Sequence, residues 1–220
     1  MISQPNYDIA AVKALEVLID NSINTTPIIP LPVFKRMKEV GVLSFTEMSN
    51  LSNTKREKFI FNLGENMDAV TLNVNLETIK YVVGYNQRLP FYLLQRGLAR
   101  ELGHFVLEHD GQTRTSEARL AEAYCFAHHF LCPRPLIHAV QESGIRFTVE
   151  VLGNMTGCYQ QCLEGMREIP GTNVPAELNK KIRTQFSECI DEFIELQRYL
   201  SKNDHSALAD FGTYMDGYEE

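Results

Sequence analysis

The stretch LARELGHFVLEHD, residues 98–110, comes within one residue of a helical metal site. With histidine at position 100, Glu101 and His104 would complete H-E-x-x-H, whose two histidines hold zinc from one helix face. Position 100 is arginine. Its guanidinium has no lone pair to donate and is not deprotonated in a protein. The pattern predicts a helix over 90–108, because Phe91, Leu94, Leu98, Leu102 and Phe105 recur at steps of three and four. At about 100° per residue, Gly97, Arg100 and His104 fall opposite that stripe, and Glu101 lies on its flank beside His104. A glycine inside a helix costs about 1 kcal/mol relative to alanine. Gly97 therefore marks a close approach, by another chain segment or by a substrate or partner in a cleft.

A second helix is expected downstream in SEARLAEAYCFAHHFLCP, residues 116–133, stopped by Pro133. Leu120, Tyr124, Ala127 and Leu131 form its apolar stripe, with Glu122 and His129 on the opposite side. A carboxylate from a following helix is one way to complete a tetrahedral zinc site begun by two histidines.

The rest of the chain supplies a frame for this helix pair. Residues 7–20 predict a helix capped by Asn6, and Pro32 starts a short helix expected to stop at Gly41. VLSF, KFIFNL, AVTLNV and TIKYVVGY, between residues 42 and 85, are short, β-branched or aromatic, and separated by Asn, Ser and Gly. They predict strands of a small antiparallel sheet. Further helices are expected over 147–167 and 176–201. In the last of these, Ile182, Phe186, Ile190, Phe193 and Leu196 form a stripe for packing on the domain or, as the minor reading, on a partner. The fold class is α+β: a small sheet packed with helices, followed by a helical region.

Composition excludes several functions. A net charge of −7 does not supply the basic footprint that direct nucleic-acid binding needs. No apolar run approaches the ~20 residues that span a bilayer, and the first residues lack a signal-peptide layout. The expected location is cytoplasmic. Five cysteines, an odd number, do not make a disulfide framework. Cys158 and Cys162 lack the second cysteine pair of a zinc site, so packing accounts for them. No Gly-rich phosphate loop or G-x-S-x-G elbow occurs. Glu101-x-x-His104 has no second Glu-x-x-His to make a di-iron pair.

The region from Tyr81 to about Glu168 resembles the ImmA/IrrE family of metallopeptidases. YVVGYN resembles the strand before the family's motif helix. LARELGHFVLEHD resembles its xxHELGHxxLHHD segment, and EAYCFAHHFLCP its EANxFAxxLLMP segment, in the expected order and at the expected gap. The resemblance implies a zincin-like domain in which Glu101 matches the general base, His104 the second histidine ligand and Glu122 the carboxylate ligand. It also implies zinc if the site is active, and a protein partner or peptide substrate such as a transcriptional regulator. The family's members cut repressor-type regulators, often in mobile elements or stress responses.

Arg100 departs from this pattern. His104 and Glu122 alone fall short of the three protein ligands of catalytic zinc sites, and a fixed cation repels a dication. Arg100 is therefore expected to replace the metal, hydrogen-bonding Glu122 or Glu101, which favours a metal-free site. Glu108, four residues after His104, is the best-placed substitute ligand. His109 falls on another side of the continued helix, and His129 is two turns from Glu122. His109, His128, His138 and His205 are taken as surface or hydrogen-bonded histidines. The favoured function is a regulatory or protein-binding pseudo-peptidase. The alternatives are an active zinc endopeptidase with a substitute ligand, and a helical interaction protein with a coincidental motif. The expected organisation is a metallopeptidase-type domain over 1–168, a helical extension over 169–201 and an acidic, mobile tail over 202–220. The sequence sets no oligomeric state.

Overall fold

A computed structural model describes residues 4–52, 55, 68–74, 76–109, 115–146, 148–157 and 171–202. The expected strand KFIFNL, most of the residues around Cys158 and Cys162, and the acidic tail beyond Lys202 lie outside them.

The N-terminal helix α1, Tyr7–Asp20, starts where the Asn6 side chain accepts the Ile9 N–H. Helix α2, Leu31–Phe34, is a single turn begun beside Pro32. The expected continuation of α2 to Gly41 does not occur. Gly41 lies within strand β1, Val40–Ser44, which leads directly into helix α3, Phe45–Ser52. Helix α3 was not foreseen, because FTEMSNLS has few apolar residues and carries no terminating glycine or proline.

Strands β2, Ala69–Asn73, and β3, Tyr81–Tyr85, complete a three-stranded sheet in the order β1-β3-β2. Strand β3 is central. It pairs antiparallel with β2 (Thr71 opposite Val83) and parallel with β1 (Val42 opposite Val83). The sheet is thus mixed, which corrects the antiparallel expectation. A parallel neighbour requires a long connection, and α3, the segment after it and β2 supply that length between β1 and β3.

Helix α4, Phe91–Val106, begins after Pro90, and helix α5, Ser116–Leu131, begins where Thr115 caps the Ala118 N–H at 3.3 Å. The two pack together, and Gly103 is the reason that they can. A Cβ at Gly103 would lie 3.1 Å from three atoms of Phe126. Helix α1 lies against α5 through the small buried residues Ala10, Ala11 and Ala14. Helix α6, Arg134–Glu142, follows Pro133, and helix α7, Val149–Thr156, falls within the expected 147–167.

The expected helix over 176–201 is interrupted at Phe186, giving α8, Ala176–Gln185, and α9, Ser187–Lys202. Ile182, Phe186, Ile190 and Ile194 enter the same core as Leu15, Leu18, Leu98 and Phe126. Residues 176–194 therefore pack on the main body, through α1 and α6. Among the described residues, no helix is long and apolar enough to cross a membrane.

Candidate functional site

The polar face of α4 meets three other elements: β2, α5 and the N-terminus of α1. Gly97 fixes the first contact. A Cβ there would fall 2.4 Å from the Cβ of Asp68 and 3.2 Å from the Ala69 nitrogen, so the start of β2 lies directly on the helix. Asp68 also receives the Arg96 guanidinium, from Nη2 at 2.8 Å and from Nε at 3.3 Å. Of the two approaches expected at Gly97, by another chain segment or by a substrate or partner in a cleft, the structure has the first. It is buried, and its close approach is to the start of the protein's own strand β2.

One turn on, Arg100 turns back to the same strand. Its Nε and Nη2 both donate to Glu101 Oε1, at 3.2 and 2.9 Å, and Nη2 also donates to the Ala69 carbonyl at 2.8 Å. The guanidinium carbon lies 5.9 Å from the centre of the Tyr124 ring, within cation–π range. Burial opposes the charge on Arg100, but the Glu101 carboxylate and the Tyr124 hydroxyl together outweigh it and hold the group above its usual range. The other oxygen of Glu101, Oε2, accepts from the Thr71 hydroxyl at 2.7 Å. Of the two carboxylates expected to receive Arg100, the partner is Glu101, and both of its oxygens are engaged.

His104 and Glu122 lie on neighbouring helices but do not face each other directly. His109 stands between them: its Nδ1 is 2.8 Å from Nδ1 of His104, and its Nε2 is 3.0 Å from Glu122 Oε2. The backbone explains why. Helix α4 ends at Val106, and Glu108 takes the left-handed conformation, φ 51°. The Glu108 N–H then bonds the Phe105 carbonyl at 3.0 Å, and the His109 N–H bonds the His104 carbonyl at 3.1 Å. These two bonds make a Schellman turn. The second of them ties His109 to His104, so their rings come together, 5.0 Å between centroids. Reading the helix as continuing through residue 108 rotated His109 away, and that expectation is corrected.

The same turn exposes Glu108. It lines a cavity of about 310 Å³ with Asn6, Ile9, Lys13, Val106, Leu107 and Glu122, but it lies past the helix end. Glu122 is 1% exposed and accepts the Asn6 backbone N–H on Oε1. The start of α1 thus covers one oxygen while His109 holds the other. Arg119 Nη1 donates to the His109 carbonyl at 3.0 Å and secures the turn to α5. Burial, with the charges of His109, Arg100 and Arg119, moves His104 below the ordinary histidine range, against the pull of Glu101.

Side chains in this arrangement do not fit one divalent ion. The two nitrogens of an imidazole point away from each other, and His109 uses one toward His104 and the other toward Glu122. Among the described residues, no group of three or more His, Cys, Asp or Glu side chains is placed to hold a metal. His129 is buried and paired with Thr172 Oγ1 at 3.2 Å, apart from the cluster.

Helix α5 is rotated relative to the expected stripe. Leu120 and Tyr124 are 43% and 40% exposed, while Ala123, Phe126 and Phe130 are buried. That rotation aims Glu122 at α1 and α4. His109, Thr71, Asn6 and Tyr124 are the site residues that sequence reasoning passed over. For His109 a signal existed, since the xxHELGHxxLHHD segment also carries histidine at that place. Thr71 and Asn6 carried none.

A helix pair carrying Glu101, His104 and Glu122, packed beside a small mixed sheet, defines a metallopeptidase-type α+β domain. Residues 43–155 match the family described as the IrrE N-terminal-like domain, Peptidase_M78, and the chain belongs to that family. Comparison with curated proteins and with solved structures found no match. The family membership removes the reading in which the motif is a coincidence.

Proposed function

We propose that this chain is a degenerate ImmA/IrrE-type metallopeptidase domain that acts as a metal-free, protein-binding or regulatory pseudo-peptidase. One observation carries the reading: Glu101, in the general-base position, is bound on Oε1 by Arg100 and on Oε2 by Thr71. A general base needs a free lone pair within reach of the proton that it takes. Here a fixed cation makes both N–H bonds on Oε1 and a hydroxyl makes one bond on Oε2, and both stabilise the charged carboxylate and so lower its basicity. The repulsion between Arg100 and a dication acts in the same direction. A partner of the kind that the family cuts, a regulator protein, would then be bound and released intact.

The competing reading, an active zinc endopeptidase with Glu108 as substitute ligand, receives less support. Glu108 is exposed at a left-handed turn beyond the helix. Metal analysis of protein purified without chelator separates the two. Less than stoichiometric zinc is expected in the wild type. Stoichiometric zinc that disappears in Glu122→Ala would show that the chain is a metalloprotein and end the pseudo-peptidase reading.

A further inference from the structure

The cavity between α1 and the end of α4 takes no part in the contacts that engage Glu101. We propose that it is a subsite for one basic side chain, lysine or arginine, of the bound protein partner, with Glu108 as the recognising carboxylate. The inference rests on the protein-binding reading above and names the chemistry that the partner brings.

Size and lining select the ligand class. The cavity measures about 310 Å³. Ligand clefts begin at about 300 Å³, so this one suits a single side chain and not a whole cofactor. Ile9, Val106 and Leu107 give it an apolar wall, and Ile9 is 49% exposed, so the wall is open to an incoming group. Such a wall receives the methylene stem of a long side chain while its charged head lies against polar groups. Those polar groups favour a cation for two separate reasons. Glu108 and Glu122 both line the cavity, and α4, a helix of 16 residues, ends there at Val106. A helix C-terminus carries a partial negative charge that attracts cations near its last turn. Glu122 already accepts from Asn6 and is bonded to His109, so it adds charge, while Glu108 is exposed and can reach a ligand directly. The LHHD of the family segment has histidine where this chain has Glu108, so the carboxylate is a feature of this chain. A metal ion fits less well. Among the described residues no group of three or more ligating side chains is placed to hold one, and a hydrated ion makes no use of the apolar wall.

Lys13, a cation in the lining, is engaged away from the cavity by Glu16, with Nζ 2.8 Å from Oε2. The Glu16 carboxylate holds it above the ordinary lysine range, and the charges of Asp20 and Glu108 act in the same direction. Lys13 thus shares the field of Glu108 with any incoming cation. Removing the charge of Glu108 should weaken a basic ligand, and removing that of Lys13 should strengthen it. At net charge −7 the chain as a whole also attracts a basic partner.

The experiment titrates the ¹⁵N-labelled full chain with three capped amino acids and follows backbone amide shifts by NMR. Nα-acetyl-lysine methylamide and Nα-acetyl-arginine methylamide carry the cation, and Nα-acetyl-norleucine methylamide carries the stem without it. The two basic probes are expected to shift the amides of Ile9, Lys13, Leu107 and Glu108, and the neutral probe is not. Glu108→Gln should weaken the basic probes about two- to fivefold, and Lys13→Gln should strengthen them by a similar factor. The same spectra report whether each variant is folded. No shift at these amides, equal shifts with the norleucine probe, or unchanged affinity in Glu108→Gln would overturn the subsite. Cadaverine binding more tightly than either basic probe would assign the cavity to a free polyamine and overturn the partner's side chain as its ligand. Stoichiometric zinc in the wild type, with Glu108-dependent binding intact, would refute the metal-free reading and leave the subsite standing. Absence of both would do the reverse.

Discussion

Replacing Arg100 by alanine removes the only cation hydrogen-bonded to Glu101 among the described contacts. The side chains of this pair are 14% and 9% exposed, so water does little to screen the loss. Taking one partner from a buried ion pair costs about 3–5 kcal/mol, because the other charge is stranded. Here the Thr71 hydroxyl still donates to Glu101 Oε2, which lowers the expected loss to about 2–4 kcal/mol. Glu101→Gln retains an acceptor oxygen and leaves Arg100 bonded to Ala69 beside the Tyr124 ring. Its cost should be smaller, roughly 1–2 kcal/mol. The double variant should then lose less than the sum, with a coupling energy of about 1–3 kcal/mol. Urea denaturation followed by circular dichroism measures all four corners of the cycle, with unchanged slopes confirming comparable unfolding. Additive losses, or a loss below about 0.5 kcal/mol for Arg100→Ala, would refute a buried pair at this position and weaken the functional reading with it.

Three further outcomes follow from the packing. Burial holds His128 down to about 4 and His129 to about 3, so the folded protein keeps both neutral. The unfolded chain takes up protons first, and stability contributed above about pH 6.5 is lost as pH falls toward those folded values. The His128 share is on the order of 3 kcal/mol. Denaturation midpoints across that range should fall with acid, and His128→Gln should flatten the slope; an unchanged slope would count against burial of a neutral ring. Glu108→Gly should stabilise the fold by about 0.5–1 kcal/mol, because glycine accepts the left-handed turn without a Cβ penalty. A lower melting temperature would contradict the Schellman turn. Gly97→Ala should destabilise by about 1–3 kcal/mol despite its better helix propensity, since the added methyl overlaps Asp68. A neutral result would mean that β2 does not lie on α4.

The legibility of the site varied with the kind of signal. Glu101, His104 and Glu122 could be picked out because a helical metal motif is a spacing, and spacing survives in sequence. The orientation of α5 could not be read. Apolar residues lie on more than one side of SEARLAEAYCFAHHFL, so periodicity alone did not choose between a face with Leu120 and Tyr124 and one with Phe126 and Phe130. The close packing at Gly103 and the cover from α1 made that choice. Likewise a stripe at helical spacing predicted helix over 176–201, while the break at Phe186 depends on how α8 and α9 each meet the core.

By itself the sequence determined that position 100 offers no metal ligand, because that follows from the chemistry of guanidinium and not from its surroundings. It also determined the helix pair, because periodicity and proline act locally. Only the tertiary structure decided which carboxylate Arg100 would neutralise and what would stand between His104 and Glu122. Both answers depend on contacts across elements: the edge of β2 on Gly97, and α5 and the start of α1 against a left-handed turn at Glu108. Left-handed backbone at a glutamate has no signature of its own in sequence. It exists here because a Schellman turn closes α4 and a buried histidine is bonded on both of its nitrogens.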